Sequence, residues 1–506
     1  MPRQVNIFHR KTQSDSKKST LRQMDIAMRM KQASALHQQG QLAQAKAIYE
    51  QVLTLDPRHF DALHLSGVVA AQTNNPVLAA DLIGKAISIN SNHAAAYSNL
   101  GLALNALRRP DEALVCFDQA LELRPDYAEA YSNRGNSLRG LNRFDEAVAS
   151  YDRAIELKSD YAKAYSNRGN ALKDLNLIEQ AVASYDRAIQ LSAGYAEAYW
   201  NKSLALLTNG EFDLGWQLYE WRSKNEETSK HKRNFSQPLW LGQEDIEGQT
   251  ILLHAEQGIG DAIQFSRYAA LVKARGARVL MEVHHALHGL FEEMDGVDEL
   301  FSKGEALPAF DYHCPLLSLP LAFKTMLSSI PSSSPYLACK TEKYDEWAQS
   351  LGERKRPRVG LVWSGSHEHQ NDHNRTVALK NMLALLPQEF EYVSLQKELR
   401  DVDKEVLAAS TIKHYGEDLR DFSDTAALCE LMDVVVSVDT SVAHLAAAIG
   451  KATWVLLPFA PDWRWLLDRQ DSPWYASVKL YRQDQSRSWD KVLQRVGEDL
   501  RENFLH

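Results

Sequence analysis

Residues 434–450 read VVVSVDTSVAHLAAAIG, and this stretch decides the class of the C-terminal half. Val434, Val435 and Val436 are a β-branched run with no polar face, the mark of a strand covered on both sides. Asp439, Thr440 and Ser441 are helix-capping types, Val442 to Ala448 is an Ala-rich helix, and Gly450 stands where a C′ glycine ends one. Ligands of open parallel sheets bind outside the carboxyl ends of strands, where free N–H groups and the helix dipole receive an anion. Thr440 and Ser441 add hydroxyl donors, and His444 lies one turn further along. We read the stretch as a diphosphate cradle. Any α/β protein has several capped βα units, so the Asp-Thr-Ser-x-x-His string carries that reading more than the unit does.

Outward from this stretch, more strands appear. Thr453 to Pro458 is one, with Asp462-Trp463-Arg464-Trp465 just past its end on the same rim as Asp439. Arg464 is the candidate cation for a diphosphate, since an arginine–phosphate pair is charge-assisted and can be bidentate. Trp463 or Trp465 is a candidate to stack on base or sugar. Upstream, Val359 to Gly365, Tyr392 to Gln396 and Ile412 to Tyr415 are strands, and Gly365 joins the donor-binding set. His367, His369, His373 and Arg375 form a polar loop whose spacing fits no zinc site, so contact with substrate is the better reading. Phe422 to Thr425 caps a helix of Ala426 to Met432, and Asp401-Val402-Asp403 reads as a solvated helix face. Further back, Ile251 to Leu253 runs into Gly258-Ile259-Gly260-Asp261 with a helix from about Ala262, and Val279 to Val283 is the next strand. On spacing alone Asp261 is an N-cap aspartate, because a glycine-rich turn is a weak signal. Ser328 to Pro335, rich in Ser and Pro, marks a break between two α/β domains.

The N-terminal part repeats every 34 residues. Tyr97, Gly101, Ala113, Phe117 and Ala120 recur as Tyr131, Gly135, Ala147, Tyr151 and Ala154, then as Tyr165, Gly169, Ala181, Tyr185 and Ala188. The pattern resembles the tetratricopeptide repeat, which implies a right-handed α-solenoid with a concave face, here of six repeats over residues 25–229. Asn99, Asn133, Asn167 and Asn201 recur at the same interval on the first helix of each pair. A row of amides can hold a peptide backbone whatever its side chains, and Asn is a mediocre helix former for inert surface. The row resembles the one in O-linked N-acetylglucosamine transferase, which holds acceptor polypeptide.

A net charge of −9 over 506 residues argues against a general nucleic-acid binder. Cys116, Cys314, Cys339 and Cys429 share no metal-ligand spacing and read as reduced thiols. Residues 1–24 read as a basic flexible tail with no signal sequence, and no apolar run is long enough for a bilayer, so no membrane insertion and a cytoplasmic location are expected. Residues 230–247 read as a linker.

The string from Asp439 to His444, with the small helix behind it, resembles the bacterial lipopolysaccharide heptosyltransferases (glycosyltransferase family 9). Gly258 to Asp261 resembles the turn that opens that family's acceptor domain, so the likeness spans most of residues 248–506. It implies a GT-B fold of twin Rossmann-like domains, 248–350 on the acceptor side and 351–506 holding a nucleotide-sugar. It further implies Asp261 as general base, with no metal and no cofactor beyond the nucleotide-sugar co-substrate. Ser441 stands where the family usually has glycine, and the family lacks these repeats. Repeats joined to such a domain look like bacterial repeat-bearing glycosyltransferases, some of which modify flagellin. The expectation is an inverting, metal-independent glycosyltransferase acting on a protein held by the repeats. The alternatives are a scaffold with a degenerate GT-B half, and a transferase for a lipopolysaccharide or small-molecule acceptor.

Overall fold

The computed structural model describes residues 5–225, 228–231, 233–332, 335–366 and 371–505. They belong to two compact units, Met1–Ala193 and Gly194–His506. Five helix pairs build the first: α1 (Val5–Gln38) with α2 (Leu42–Leu55), α3 (Phe60–Gln72) with α4 (Pro76–Ile89), and α5 (Ala94–Ala106) with α6 (Pro110–Leu123). The others are α7 (Ala128–Gly140) with α8 (Phe144–Leu157), and α9 (Ala162–Asp174) with α10 (Ile178–Leu191). Helix α1 takes in much of the stretch read as a tail.

The repeat spacing is explained by packing inside each pair. A Cβ built on Gly101, Gly135 or Gly169 would lie 2.7, 2.6 or 2.5 Å from the ring of Phe117, Tyr151 or Tyr185, all fully buried. The glycine of the first helix thus seats the aromatic of the second. Between the helices of successive pairs Asn74, Arg108, Asn142 and Asn176 take φ of 56°, 57°, 59° and 60°, one left-handed slot per repeat, which favours Asn over most side chains. Neighbouring pairs are stapled by Arg134, which donates to Asp118 at 2.6 Å and to Ser150 at 2.7 Å, and by Arg168, which meets Asp152 and Ser184 in the same way.

The second unit opens with a sixth pair, α11 (Ala196–Thr208) and α12 (Phe212–Tyr219), followed by parallel-strand α/β structure. Strands β1 (Thr250–His254), β2 (Arg278–Val283), β3 (Glu299–Ser302) and β4 (Tyr312–Pro315) form one parallel sheet in the order β3-β2-β1-β4. Strands β5 (Arg358–Val362), β6 (Glu391–Ser394), β7 (Lys413–His414), β8 (Val434–Val438), β9 (Thr453–Leu457) and β10 (Val478–Arg482) form the other, in the order β10-β9-β8-β5-β6-β7. Every residue of β8 is buried, as its apolar run requires. The chain reverses direction across the sheet between β1 and β4 and again between β5 and β8. These are the switch points at which such sheets open a crevice beyond the strands' carboxyl ends.

Three expectations need correction. Asp403 is buried and accepts a hydrogen bond from the Trp363 indole at 3.0 Å, so it is no solvated face. The helix expected from Ala426 runs Phe422–Glu430 and is capped by Asp421, whose carboxylate accepts from the Ser423 amide at 2.8 Å. Part of the stretch read as a linker is bound to the first sheet: Leu239 bridges His313 in parallel, and Trp240 is fully buried. No helix among the described residues is long and apolar enough to cross a membrane.

The glycine–aromatic seat predicts that Gly135→Ala lowers the stability of the repeats by about 1–3 kcal/mol, the ordinary cost of overpacking a filled core. Urea denaturation followed by circular dichroism measures it. A stability within error of the unsubstituted chain would mean that Tyr151 moves aside freely.

Candidate functional site

Two helices start beside the switch points, α13 (Ile259–Ser266) after β1 and α14 (Ser441–Ala448) after β8. Gly258 is the N-cap of α13, and Asp261 at its third position accepts the Gly258 amide through Oδ2 at 2.9 Å. Asp261 is thus not the N-cap residue that the spacing suggested; it bonds back to the N-cap amide from the third helical position. The other oxygen, Oδ1, takes Nη2 of Arg464 at 2.5 Å. Arg464 is buried, and its remaining nitrogens are engaged as well: Nη1 donates to Asp462 at 2.8 Å and Nε to the Gln264 amide oxygen at 2.7 Å. Its guanidinium lies 4.4 Å over the Trp463 ring.

The starts of α13 and α14 meet closely. A Cβ on Gly260 would stand 3.0 Å from the His444 ring and 3.5 Å from Ser441 Cα, so any larger residue would press on the His444 ring. Thr440 occupies the N-cap of α14, but its side chain makes no cap bond; its hydroxyl pairs with Ser437 at 3.1 Å. Gly365, beyond β5, lies under the guanidinium of Arg375, and Arg375 donates to the Asp439 carbonyl at 2.9 Å. Gly365, Asp439, Thr440 and Ser441 thus share one rim. His444 is buried, with Nδ1 bonded to the Tyr475 hydroxyl at 2.9 Å, Nε2 3.8 Å from Asp439, and its ring stacked on Trp465. Trp463 and Trp465 are buried too, which makes them core packing and not a stacking platform for a base. His367 and His369 lie outside the described residues, and His373 falls in the short helix Asp372–Arg375. No group of three His, Cys, Asp or Glu that could hold a metal occurs among the described residues.

Burial dominates the electrostatics. It pushes the Asp439 carboxyl up to about 6, helped by the nearby Asp462 and opposed by Arg375 and Arg464. Burial works against the charges of Asp462 and Arg464, but each outweighs it for the other: Asp462 is held below the usual carboxylate range and Arg464 above its own. Burial lowers His444 to about 3, with Arg464 adding to the effect. Asp462 and Gln264 were not singled out from the sequence. Gln264 was findable, since it lies three positions past Asp261 on one helix face.

The asparagine row differs from a uniformly exposed ladder. Asn99 pairs with His64 at 2.9 Å, whereas Asn133 and Asn201 are half-buried. Asn167 is only 8% exposed, and its amide nitrogen has no hydrogen-bond partner. Buried donors are rarely left so.

Comparison with known proteins covers mainly the repeats. Models described as Tetratricopeptide repeat match residues 30–95 and 92–160, and one described as TPR repeat matches 169–210. The N-terminal repeats are tetratricopeptide repeats. Protein FlbA of Caulobacter vibrioides is 26% identical over 323 residues, which cover 59% of this chain and 54% of that protein. The chain thus spans about half the length of this curated relative. Among solved structures, YrrB, a TPR protein with an unusual peptide-binding site, is 26% identical over 35% of this chain and 91% of its own, with a TM-score of 0.31. PilF of Pseudomonas aeruginosa is 20% identical over 40% and 92%, with a TM-score of 0.36. PilW, a type IV pilus biogenesis factor, is 19% identical over 41% and 95%, with a TM-score of 0.37.

The buried imidazoles make the second unit acid-sensitive. His254 and His444 are both lowered to about 3 by burial from an ordinary 6.5, so their contribution is complete above pH 6.5 and is lost as pH falls towards 3. Asp439, raised to about 6 from 3.8, runs the other way, stabilising at low pH and losing that as pH rises through 6. From pH 7 to 5 the balance is a loss of about 2–3 kcal/mol, at roughly 1.4 kcal/mol per unit for each group. Urea midpoints read by tryptophan fluorescence at the two pH values test it. An equal or higher midpoint at pH 5 would contradict neutral buried imidazoles.

Proposed function

We propose that the chain is an inverting, metal-independent glycosyltransferase of GT-B type, transferring a sugar from a nucleotide-sugar to a polypeptide held by the tetratricopeptide repeats. One observation carries the reading. A carboxylate, Asp261, bonded to the Arg464 guanidinium, and an anion-receptive helix start, that of α14, come from two separate sheets and are brought together where Gly260 abuts Ser441 and His444. Two open parallel sheets, each with a switch point, support the GT-B assignment. In the transfer, the acceptor hydroxyl oxygen forms a bond to the anomeric carbon as its proton passes to Asp261. The bond from that carbon to the diphosphate breaks, and its electron pair leaves with the nucleoside diphosphate. A single displacement inverts the anomeric centre. The departing charge is met by the first amides of α14, the Thr440 and Ser441 hydroxyls and Arg464. Arg375 fixes the rim by holding the Asp439 carbonyl over Gly365, and His444 wedges α14 against Tyr475 and Trp465.

On the acceptor side, the orphaned amide of Asn167 supports a peptide backbone as the missing partner, with Asn99, Asn133 and Asn201 repeating the register. A second reading has an observation of its own. Arg464 is already neutralised by Asp261 and Asp462, as it would be in a non-catalytic scaffold whose repeats alone bind protein.

Hydrolysis of a panel of nucleoside-diphosphate sugars separates the two. The full chain is expected to hydrolyse one of them slowly, and Asp261→Ala to lose that rate by about 10²–10⁴-fold, the usual worth of a general base. No hydrolysis of any donor by the folded chain would sink the transfer reading and leave the scaffold.

A quadruple change of Asn99, Asn133, Asn167 and Asn201 to Ala should weaken acceptor capture by several kcal/mol, at about 1 kcal/mol net per amide. Incorporation of labelled sugar into lysate proteins would then collapse while donor hydrolysis persists. Undiminished labelling would make the row inert.

A further inference from the structure

We propose that Arg464 masks Asp261 until a diphosphate is bound, so that the donor must bind before the acceptor hydroxyl can be activated. This rests on the transfer reading above. Both oxygens of Asp261 are engaged, one by the Gly258 amide and one by Arg464 Nη2. While Arg464 holds Oδ1, that oxygen is occupied at the position from which it would accept from a substrate hydroxyl.

The three holds on Arg464 are unequal. Asp462 sits two residues away on the same loop, and its Oδ1 also takes the Arg464 backbone amide at 3.0 Å, so the Nη1 contact is fixed by local geometry. Gln264, fully buried on α13, anchors Nε. The Nη2–Asp261 bond joins segments 203 residues apart in sequence and lies beside the abutting starts of α13 and α14. Phosphate oxygens compete with Asp261 for the Nη2 protons while Nη1 and Nε stay pinned, so the guanidinium keeps its place and the Asp261 oxygen is the partner displaced. Gln264 carries a second mark of an unfilled acceptor position: its amide nitrogen is buried with no hydrogen-bond partner. Once phosphate has taken the Nη2 protons, Asp261 keeps only the Gly258 amide, and its other oxygen is open to the acceptor hydroxyl. The same residue that neutralises the leaving group therefore releases the base.

The test is a double-mutant cycle by calorimetry on the full chain, titrated with UDP, GDP, ADP and CDP. Asp261→Asn is expected to bind the preferred diphosphate about tenfold more tightly than the unsubstituted chain, because the competing carboxylate is gone. In an Arg464→Met background the same change should alter affinity by less than about threefold, the residue of additive behaviour between uncoupled sites. An equal gain in both backgrounds would be a plain field effect of one lost charge and would overturn the mask. Unchanged or weaker binding in Asp261→Asn overturns it as well, leaving the transfer reading intact. If Asp261→Asn does not fold, Asp261→Ser, which still accepts the Gly258 amide, replaces it. Binding of no diphosphate to any variant overturns both the mask and the donor site beneath it.

Discussion

A guanidinium taken out of water has to be met by carboxylates, and much of the second unit follows from that requirement at Arg464. Its partners come from β1's rim, through Asp261 and Gln264, and from β9's rim, through Asp462. The ion pair therefore fixes how the two sheets' carboxyl ends approach each other. Deleting either carboxylate's charge leaves a buried cation short of a partner, which is costlier than the net worth of the pair. The aromatic lining shares the task. Trp463 lies under the guanidinium, Phe265 stacks on Trp463, and both belong to one continuous core that draws on both sheets.

That core extends into the last repeat. Phe212, Trp216 and Tyr219 of α12 are buried in it, with the Trp216 and Trp463 rings 5.3 Å apart and the Trp216 indole donating to the Thr325 carbonyl at 2.9 Å. Beyond α12 a second buried guanidinium, Arg222, binds Glu220, Glu256 and Ser318, tying the end of the repeat to the rim of the first sheet. The sixth helix pair is therefore part of the α/β structure in packing, although it is a tetratricopeptide repeat in sequence. A displacement of α12 cannot leave Trp463, and hence the seat of Arg464, undisturbed.

How much of this could be read from the chain depended on whether the signal was local. The repeats were legible because each glycine–aromatic seat recurs at fixed spacing, and β8 because a strand buried on both faces shows as a continuous apolar run. The edge strand β3 (ELFS), and β4 (YHCP), with His313 facing His254 at 3.2 Å, carry no such run. Strand β10 mixes Lys479 and Arg482 into its apolar positions and was equally invisible. Asp403 looked solvated because its neighbours Asp401 and Lys404 are, whereas its partner Trp363 is 40 residues away in sequence. The site shows the same division. The rim from Asp439 to Ser441 lay in one string, but the Asp261–Arg464 bond spans 203 residues and no spacing announces it.

The charge balance of the rim bears on what it can admit. Among the described residues Asp261, Asp439 and Asp462 are bonded by the guanidinium groups of Arg375 and Arg464, and three ionised carboxyls would outnumber these two cations and repel an anion. Two like charges held close cannot ionise with equal ease, and here the asymmetry is plain. Asp462, bonded to Arg464, is held below the usual carboxylate range, while Asp439, half-buried beside it, is pushed up to about 6. On the proposed donor-site reading, an incoming phosphate would raise Asp439 further by the same repulsion, and one proton would then restore the balance. On that reading, helix amides and Arg464 supply the attraction, and Asp439 supplies the give.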